Sequence, residues 1–263
     1  MKLISLNTWG GKMYRPLIQF IKHQSKDTDI FCFQEIYSTK SDKKLQKSIQ
    51  TNLLEEIRII LPKFRVFYFP TLEGFDTDIK PHKVKFDLKY GSAIFVKDSI
   101  KITSHQDYFI YQDHSFRALK PDFSNLATPL QYISFSVDGR EFSVFNFHGT
   151  AYPFNKLDSP NRFKETKKVL EIMNSKTGSK IIVGDFNLLP NTRCINLFEE
   201  NLRNLIKEYN IPRTRSDLSP YAKTPNFQKF ADYAFISSDI NLKDFKVLEE
   251  EVSDHLPLVL DFT

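Results

Sequence analysis

Short apolar runs of strand length recur along the chain and are nearly continuous in hydrophobic residues. They cover residues 2–7, 29–36, 64–70, 92–97, 131–137, 141–147, 180–186, 232–237 and 256–262. A strand without polar alternation is typically buried on both faces. The pattern therefore predicts sheets that are covered by helices or by a second sheet.

Between these runs, apolar residues recur at the spacing of a helix that is buried along one side. The predicted helices cover residues 16–24, 44–60, 160–175 and 191–209. Proline suits the first turn of a helix, and Asn or Thr can cap its first backbone N–H groups. Pro160 and the pair Asn191 and Thr192 therefore favour helix starts.

One hairpin is indicated by Asp138 and Gly139, which separate two of the apolar runs. Both residue types tolerate the positive φ angles of a tight type I′ turn. The combination of a hairpin with strand–helix–strand order predicts an α/β fold with mixed sheets. Neither a repeat nor a flexible linker divides the chain, so residues 1–263 are predicted to form a single domain.

The charge balance is mildly basic, with 37 Lys and Arg residues against 32 Asp and Glu residues and a net charge of +5. This balance weakly favours a polyanionic partner such as nucleic acid. Three clusters of basic residues are expected chiefly as solvated faces. They are Lys40, Lys43, Lys44 and Lys47; Lys80, Lys83, Lys85 and Lys89; and Arg162, Lys164, Lys167 and Lys168.

The cysteines and the start of the chain bear on its location. Only Cys32 and Cys194 occur, which does not suggest a disulfide framework. The sequence shows neither an apolar leader segment nor an 18-residue apolar run. It therefore predicts a cytoplasmic protein without a transmembrane segment, and we expect a monomer.

Polar residues stand where several of the predicted strands end or begin. Asn7, Glu35, His148 and Asp185 lie at carboxyl ends, with Asn187 two residues beyond Asp185. Asp232, Asp254 and His255 precede the last two apolar runs, and an antiparallel placement would bring them to the same edge. Sites on α/β sheets usually lie at such an edge, so we expect these side chains to converge.

The chemistry of this set suits phosphate ester hydrolysis assisted by a metal. Asn7 and Glu35 offer the hard oxygen ligands that Mg²⁺ or Mn²⁺ prefers. Asp185 can take a proton from water, and Asn187 can donate a hydrogen bond to a phosphate oxygen. His148 and His255 can present N–H groups to growing negative charge. An Asp beside His255 is expected to fix its tautomer and to favour its protonated form.

The motifs LNTWGG, FQEI, NFHGTAYP, GDFN, ADYAFIS and SDHLPLVL occur in this order between residue 7 and the carboxyl-terminal strand. Together they resemble the endonuclease/exonuclease/phosphatase superfamily of metal-dependent phosphoesterases. The resemblance implies a four-layered α/β/β/α sandwich, in which two packed mixed sheets are flanked by helices. It also implies an enzyme rather than an inactive binding module, because none of the expected catalytic positions is substituted.

The resemblance further implies a role for each of these residues. Glu35 binds the catalytic Mg²⁺, for which Mn²⁺ may substitute, with help from Asn7. Asp254 supports this metal or binds a second one. Asp185 activates the attacking water and Asn187 holds the phosphate. His255, oriented by Asp232, stabilises the transition state, while His148 contacts the phosphate.

Two long segments, residues 72–91 and 213–229, are predicted to form the substrate-specificity loops. Basic and aromatic residues alternate in both, as Lys85, Phe86, Lys89 and Tyr90, and as Arg215, Tyr221, Lys223 and Phe227. Such an alternation favours phosphate contacts combined with base stacking, so a nuclease acting on DNA or RNA is the first prediction. The alternatives are an enzyme for a small-molecule or lipid phosphoester, of inositol phosphate or sphingomyelin type, and an end-processing enzyme like the tyrosyl-DNA phosphodiesterases.

Overall fold

The computed structural model of the protein describes residues 1–43, 45, 49–78, 81–113, 122–224 and 228–263. Four residues singled out in the sequence, Lys44, Lys47, Lys80 and Phe227, lie outside the described residues. In the part of the chain that is described, no helix is long and apolar enough to cross a membrane.

The strands fall into two large sheets and one small ribbon. In chain order they are β1 (Lys2–Asn7), β2 (Ile30–Ser38), β3 (Phe64–Glu73), β4 (Phe75–Asp76), β5 (His82–Lys83), β6 (Lys89–Lys97), β7 (Ile102–Tyr111), β8 (Thr128–Val137), β9 (Arg140–His148), β10 (Ser179–Asp185), β11 (Arg203–Asn204), β12 (Asp232–Ile236), β13 (Leu242–Val247) and β14 (Leu258–Phe262). The first sheet has the order β13-β14-β1-β2-β6-β3 and the second has the order β11-β12-β10-β9-β8-β7. Both sheets are mixed, because β1 pairs parallel with β2, and β9 pairs parallel with β10.

The helices cover the outer faces of the two sheets. They are α1 (Tyr14–Gln24), α2 (Leu53–Ile60), α3 (Pro160–Asn174), α4 (Arg193–Glu199) and α5 (Leu205–Glu208). Alternate residues of β1 show the layering, since Ile4 and Leu6 pack against α1 and α2, whereas Leu3 belongs to the core shared with the second sheet. That shared core also reaches α3 and α4. The predicted four-layered α/β/β/α sandwich is thus confirmed.

The turn and cap signals have the predicted geometry. Val137 pairs with Arg140 across the hairpin, and Asp138 and Gly139 have φ angles of 50° and 77°. Ser159 caps α3 by accepting a hydrogen bond from the backbone N–H of Arg162, directly before Pro160.

Several predicted boundaries are wrong. The sequence predicts one helix over 191–209, but the two-residue strand β11 separates α4 from α5. It predicts a helix from residue 44, whereas residues 49–52 are not helical and α2 begins at Leu53. β7 and β13 are edge strands with many exposed polar residues, so neither has a continuous apolar run.

Candidate active site

Asp185 lies at the centre of the candidate site, because the register of the second sheet places two other polar residues beside it. It is the last residue of β10 and pairs with His148 of β9 on one side and with Asp232 of β12 on the other. Paired residues in adjacent strands point to the same face. The preceding Gly184 permits this packing, since a Cβ atom there would lie 2.0 Å from the carbonyl oxygen of Phe147.

Hydrogen bonds join Asp185 to the first sheet. Asn7, at the end of β1, donates from Nδ2 to Asp185 Oδ2 at 3.1 Å and to Glu35 Oε1 at 3.0 Å. The other carboxylate oxygen of Asp185 accepts the backbone N–H of Asn187 at 2.9 Å. The site therefore lies at the seam between the two sheets, where both sets of strand ends meet.

Glu35 reaches the site through an irregularity within β2. The sequence places Glu35 at the carboxyl end of a strand, but β2 continues to Ser38, and its register against β6 shifts between Phe33 and Ile36. Glu35 has a φ angle of 59°, which is uncommon for a residue with a side chain. Bulges of this kind redirect a side chain, and here the redirected carboxylate lines the pocket.

His255 is held between Asp232 and Arg215. Its Nδ1 lies 2.8 Å from Asp232 Oδ2, and its Nε2 lies 2.9 Å from Arg215 Nη1. An arginine can only donate, so Nε2 must accept and Nδ1–H must donate to Asp232. The predicted control of the His255 tautomer by an aspartate therefore agrees with this geometry.

The protonation state of His255 differs from the prediction. Burial lowers its pKa to about 4, and the guanidinium of Arg215 acts in the same direction against the nearby carboxylates. At neutral pH the imidazole is therefore uncharged in this arrangement, whereas the sequence analysis expects an aspartate to favour the charged form. The causes are the burial of the ring, which is the larger effect, and the buried cation Arg215, whose placement the sequence does not reveal.

Asp254 reaches the site but is bound to Arg215. Its Oδ2 accepts a hydrogen bond from Arg215 Nη2 at 2.6 Å, and both side chains are more than nine-tenths buried. Its other oxygen lies 3.8 Å from His255 Nε2. In this arrangement Asp254 neutralises an arginine, which leaves one oxygen for the metal-supporting role predicted from the sequence.

Lys156 is a second buried cation of the site. It is 8% exposed, and its Nζ donates a short hydrogen bond to Asn187 Oδ1. Asn187 also donates from its amide nitrogen to the carbonyl of Gly149 at 3.0 Å. Burial lowers the pKa of Lys156 to about 8.

The electrostatic balance keeps Asp185 ionised. Burial by itself would raise the pKa of this carboxyl group, but the positive charges around it, among them Lys156 and Arg215, bring the pKa below its usual range. Burial lowers the pKa of His148, whose Nε2 lies 3.9 Å from Asp185 Oδ2. Burial and the charge of Asp185 raise the pKa of Asp232.

A family model described as the endonuclease/exonuclease/phosphatase family matches residues 4–255. The chain belongs to this family. A search of curated proteins found no match. Three similar solved structures each align with 100% of this chain. A mannosyl-6-phosphatase of Bacteroides thetaiotaomicron is 18% identical, with 99% of its own chain covered and a TM-score of 0.70. The human Nocturnin catalytic domain is 17% identical, with 93% of its chain covered and a TM-score of 0.63, and a humanized TDP2 of D. rerio is 13% identical, with 98% covered and a TM-score of 0.68. At these identities the likeness shows the fold.

In this member of the family, every residue predicted for the site lies at the seam or lines its pocket. The members of the set are Asn7, Glu35, His148, Asp185, Asn187, Asp232, Asp254 and His255. Among the described residues, Asp185, Asp232 and His255 form a group of potential metal ligands whose ligand atoms lie within 4.8 Å of one another. This group differs from the predicted ligands, although Asn7 connects it to Glu35.

The pocket above these residues has a volume of about 960 Å³ and is walled by loops from both sheets. Aromatic side chains are prominent in its wall, including Trp9, Tyr90, Phe154 and Tyr221. Phe154 packs edge-on against Phe123, at a centroid distance of 5.3 Å. The pocket thus offers apolar surface around a charged floor.

The two predicted specificity loops contribute unequally to this pocket. Tyr90 and Tyr221 line it, and Arg215 reaches its floor. Phe86 instead packs against an apolar cluster that contains Tyr37. The alternation of basic and aromatic residues is therefore not a continuous stacking surface in the described part of the loops.

Arg162 does not lie on the solvated face that the sequence predicts for its cluster of basic residues. It is 1% exposed and donates hydrogen bonds to several backbone carbonyls of the segment that carries Lys156. A positive charge near the amino end of a helix interacts unfavourably with the helix dipole. The position of Arg162 in the first turn of α3 was therefore the one sign in the sequence that its side chain has a structural role. Lys156 itself carries no local signal, because a lysine in a polar loop is ordinarily solvated.

Proposed function

We propose that this protein is a divalent-metal-dependent hydrolase of phosphate esters, with residues 1–263 acting as one domain. The observation that supports this most is the contact of two carboxylates, Glu35 and Asp185, with one carboxamide, Asn7, beside the Asp232 and His255 pair. This arrangement combines a hard-ligand site, a base and a potential proton donor within one pocket. Membership of the family supports phosphoester hydrolysis as the reaction.

The residues fit a divalent cation. Glu35 and Asp185 both accept hydrogen bonds from the amide nitrogen of Asn7, and a cation beside Glu35 would neutralise a carboxylate that, among the described residues, now has only this neutral donor. Burial raises the pKa of Glu35, and no described residue forms an ion pair with it. Glu35 would hold Mg²⁺ or Mn²⁺, and Asn7 would add its carboxamide oxygen by turning its amide, since in this structure that oxygen accepts the backbone N–H of Trp9 at 3.0 Å. The bound ion would supply positive charge to a phosphate oxygen.

The chain supplies the remaining chemistry. Asp185, kept ionised by its cationic neighbours, accepts a proton from the attacking water. His255, fixed by Asp232, stabilises the negative charge that grows on the phosphate oxygens once Arg215 releases its Nε2 and that nitrogen takes up a proton, and His148 contacts the phosphate. Asn187 places Lys156 at the phosphate, in addition to the direct phosphate contact predicted from the sequence.

The sequence favours a nucleic acid as the substrate, and the net charge of +5 and the aromatic pocket wall support this choice. A small-molecule or lipid phosphoester is the second candidate, because loops surround the charged floor on several sides. One structural neighbour is named as a mannosyl-6-phosphatase, which supports the second candidate. A cytoplasmic location and a monomeric state stay predictions.

A substrate panel tests the proposal. Purified protein is incubated with DNA, RNA, a 5′-phosphotyrosyl oligonucleotide, a sugar phosphate, an inositol phosphate and sphingomyelin, each with Mg²⁺, with Mn²⁺ and with excess chelator. We expect turnover of at least one phosphoester that stops with chelator and returns with either metal. Full turnover in excess chelator would contradict the metal assignment. If nucleic acid is the substrate, its affinity must also fall steeply with salt.

A further inference from the structure

We propose that Lys156 and Arg215 form a cradle for the non-ester oxygens of a terminal phosphate group, so that phosphomonoesters are the preferred substrates. The inference rests on the proposed hydrolase function and specifies its substrate class. Either a small phosphate ester or a chain end that carries a phosphate would supply the same terminal group. An internal phosphodiester would not.

Lys156 is the first part of the cradle. Among the described residues it has no carboxylate in ion-pair contact, and its hydrogen-bond acceptor is the neutral carboxamide of Asn187. A buried ammonium without an anionic partner is unfavourable. Lys156 also lines the pocket, so an anion that enters can reach it. A phosphate oxygen is the partner that this charge lacks.

The loop that carries Lys156 is held in place independently of any ligand. Arg162 donates to the carbonyl oxygens of Ala151, Pro153 and Leu157, on both sides of Lys156. The backbone carbonyl of Lys156 accepts the N–H of Leu189 at 2.9 Å. The ammonium group is therefore positioned in advance, as a binding site requires.

Arg215 is the second part of the cradle. One guanidinium nitrogen donates to Asp254 and to Ser219, whereas the other faces the neutral Nε2 atom of His255. A charged phosphate oxygen is a stronger acceptor than a neutral imidazole nitrogen. The nitrogen that faces His255 can therefore turn to a phosphate while the contact with Asp254 is kept. Lys156 and Arg215 both line the same pocket, so one phosphate group in it can meet both cations.

The number of charged oxygens separates the two substrate classes. A phosphomonoester carries three non-ester oxygens and about −1.5 to −2 charge at pH 7, whereas a diester carries two such oxygens and one charge. The metal site, Lys156 and Arg215 offer one cation for each oxygen of the monoester. In hydrolysis the water oxygen bonds to phosphorus as the ester P–O bond breaks, and the products are an alcohol and inorganic phosphate.

The test compares matched esters on the wild-type protein with Mg²⁺. We expect kcat/KM for p-nitrophenyl phosphate to exceed that for bis-p-nitrophenyl phosphate by on the order of a hundredfold, the scale set by one charged donor. Release of inorganic phosphate from sugar phosphates, compared with release from oligonucleotides with a 5′- or 3′-phosphate, distinguishes the two sources of the terminal group. A preference for the diester would overturn the inference.

Variants of Lys156 and Arg215 test whether the cradle causes the preference for the monoester. Lys156→Met keeps the length of the side chain without its charge, and Arg215→Gln removes the guanidinium. Each should lower kcat/KM for the monoester by about 100-fold and for the diester by less than about tenfold. Lys164→Met and Arg213→Gln are the controls, because Lys164 is exposed and Arg213 pairs with Glu249 at the surface. An equal loss on both esters in Lys156→Met would contradict the inference.

Binding of inorganic phosphate in the presence of chelator gives a measurement that does not depend on turnover. Trp9, the single tryptophan, lines the same pocket, so its fluorescence can report the titration, with calorimetry as a check. Lys156→Met should bind phosphate at least tenfold more weakly than the wild type. If Lys156→Met does not fold, the ratio of kcat/KM for the monoester to kcat/KM for the diester on the wild-type protein still tests the proposed preference. Turnover of neither ester would contradict the hydrolase function itself, whereas turnover of the diester alone would contradict only the cradle.

Discussion

Replacing Asp185 by asparagine separates the role of a base from that of a metal ligand. The substitution keeps the shape of the side chain but removes its proton affinity. Loss of a general base lowers turnover by about 10²- to 10⁴-fold. Substrate affinity should stay or increase, because a negative charge that faces the phosphate has been removed. We therefore expect a large fall in kcat with KM unchanged or lower.

The structure also gives the cost to stability of this change. Asp185 accepts the backbone N–H of Asn187 at one oxygen and the amide of Asn7 at the other. The introduced asparagine has a single acceptor oxygen, so it can keep one of these hydrogen bonds, without the charge, and loses the other. A lost hydrogen bond to a charged group costs about 1.5–3 kcal/mol. For a chain of this length that lowers Tm by about 3–12 °C. The fold should survive, since domains are typically stable by about 5–15 kcal/mol.

Titration with Mg²⁺ distinguishes this variant from Glu35→Gln. The glutamine variant should bind metal more weakly and should recover part of its turnover at high Mg²⁺. Asp185→Asn should stay inactive at every metal concentration. Asp27→Asn is the matched control, because Asp27 is exposed and pairs with Lys2 at the opposite end of β1. Recovery of Asp185→Asn by metal would refute the assignment of Asp185 as the base.

Two further predictions concern other buried titratable groups. His255→Ala should lower turnover by about 100-fold or more and Asp232→Asn by a smaller factor; wild-type rates in both would contradict their pairing. Burial raises the pKa of Glu165 from 4.5 to about 7, so the stabilisation that protonated Glu165 provides is full below pH 4.5 and is lost as the pH rises through 7. That loss is on the order of 3 kcal/mol. Glu165→Gln should therefore be more stable than the wild type at pH 8 and equal to it at pH 4.5 in urea unfolding; an equal difference at both pH values would contradict this.

The sequence predicts the buried strands well because burial on both faces leaves a continuous apolar run. Val183 and Ala234 in paired central strands illustrate this, since both are fully buried. Edge strands such as β7 are exposed on part of their surface and give no such run. The central strands and the apolar edge strand β3 were therefore predictable, whereas the polar edge strands β7 and β13 were not.

The anionic half of the site is predictable for a related reason. A carboxylate that follows a buried strand, as Asp185 does, is unfavourable without a partner and so points to function. The cationic half lies on loops, where lysine and arginine are normally solvated. Arg213 and Arg215 are two residues apart in one loop, yet one lies at the surface and the other is buried beside His255. A backbone bridge pairs Arg215 with His255, a long-range contact that a local sequence pattern does not reveal.

The position of Arg215 connects substrate binding to the protonation of His255. While the guanidinium donates to Nε2, that nitrogen cannot hold a proton, and the pKa of His255 stays near 4. A phosphate that draws this donor away frees Nε2, and the surrounding carboxylates Asp254, Asp185 and Glu35 then favour the charged ring. A pH titration of the histidine resonances with and without inorganic phosphate measures this effect. The pKa of His255 should rise when phosphate is present; if it is the same in both titrations, Arg215 does not turn from His255 to the phosphate, which contradicts its place in the cradle.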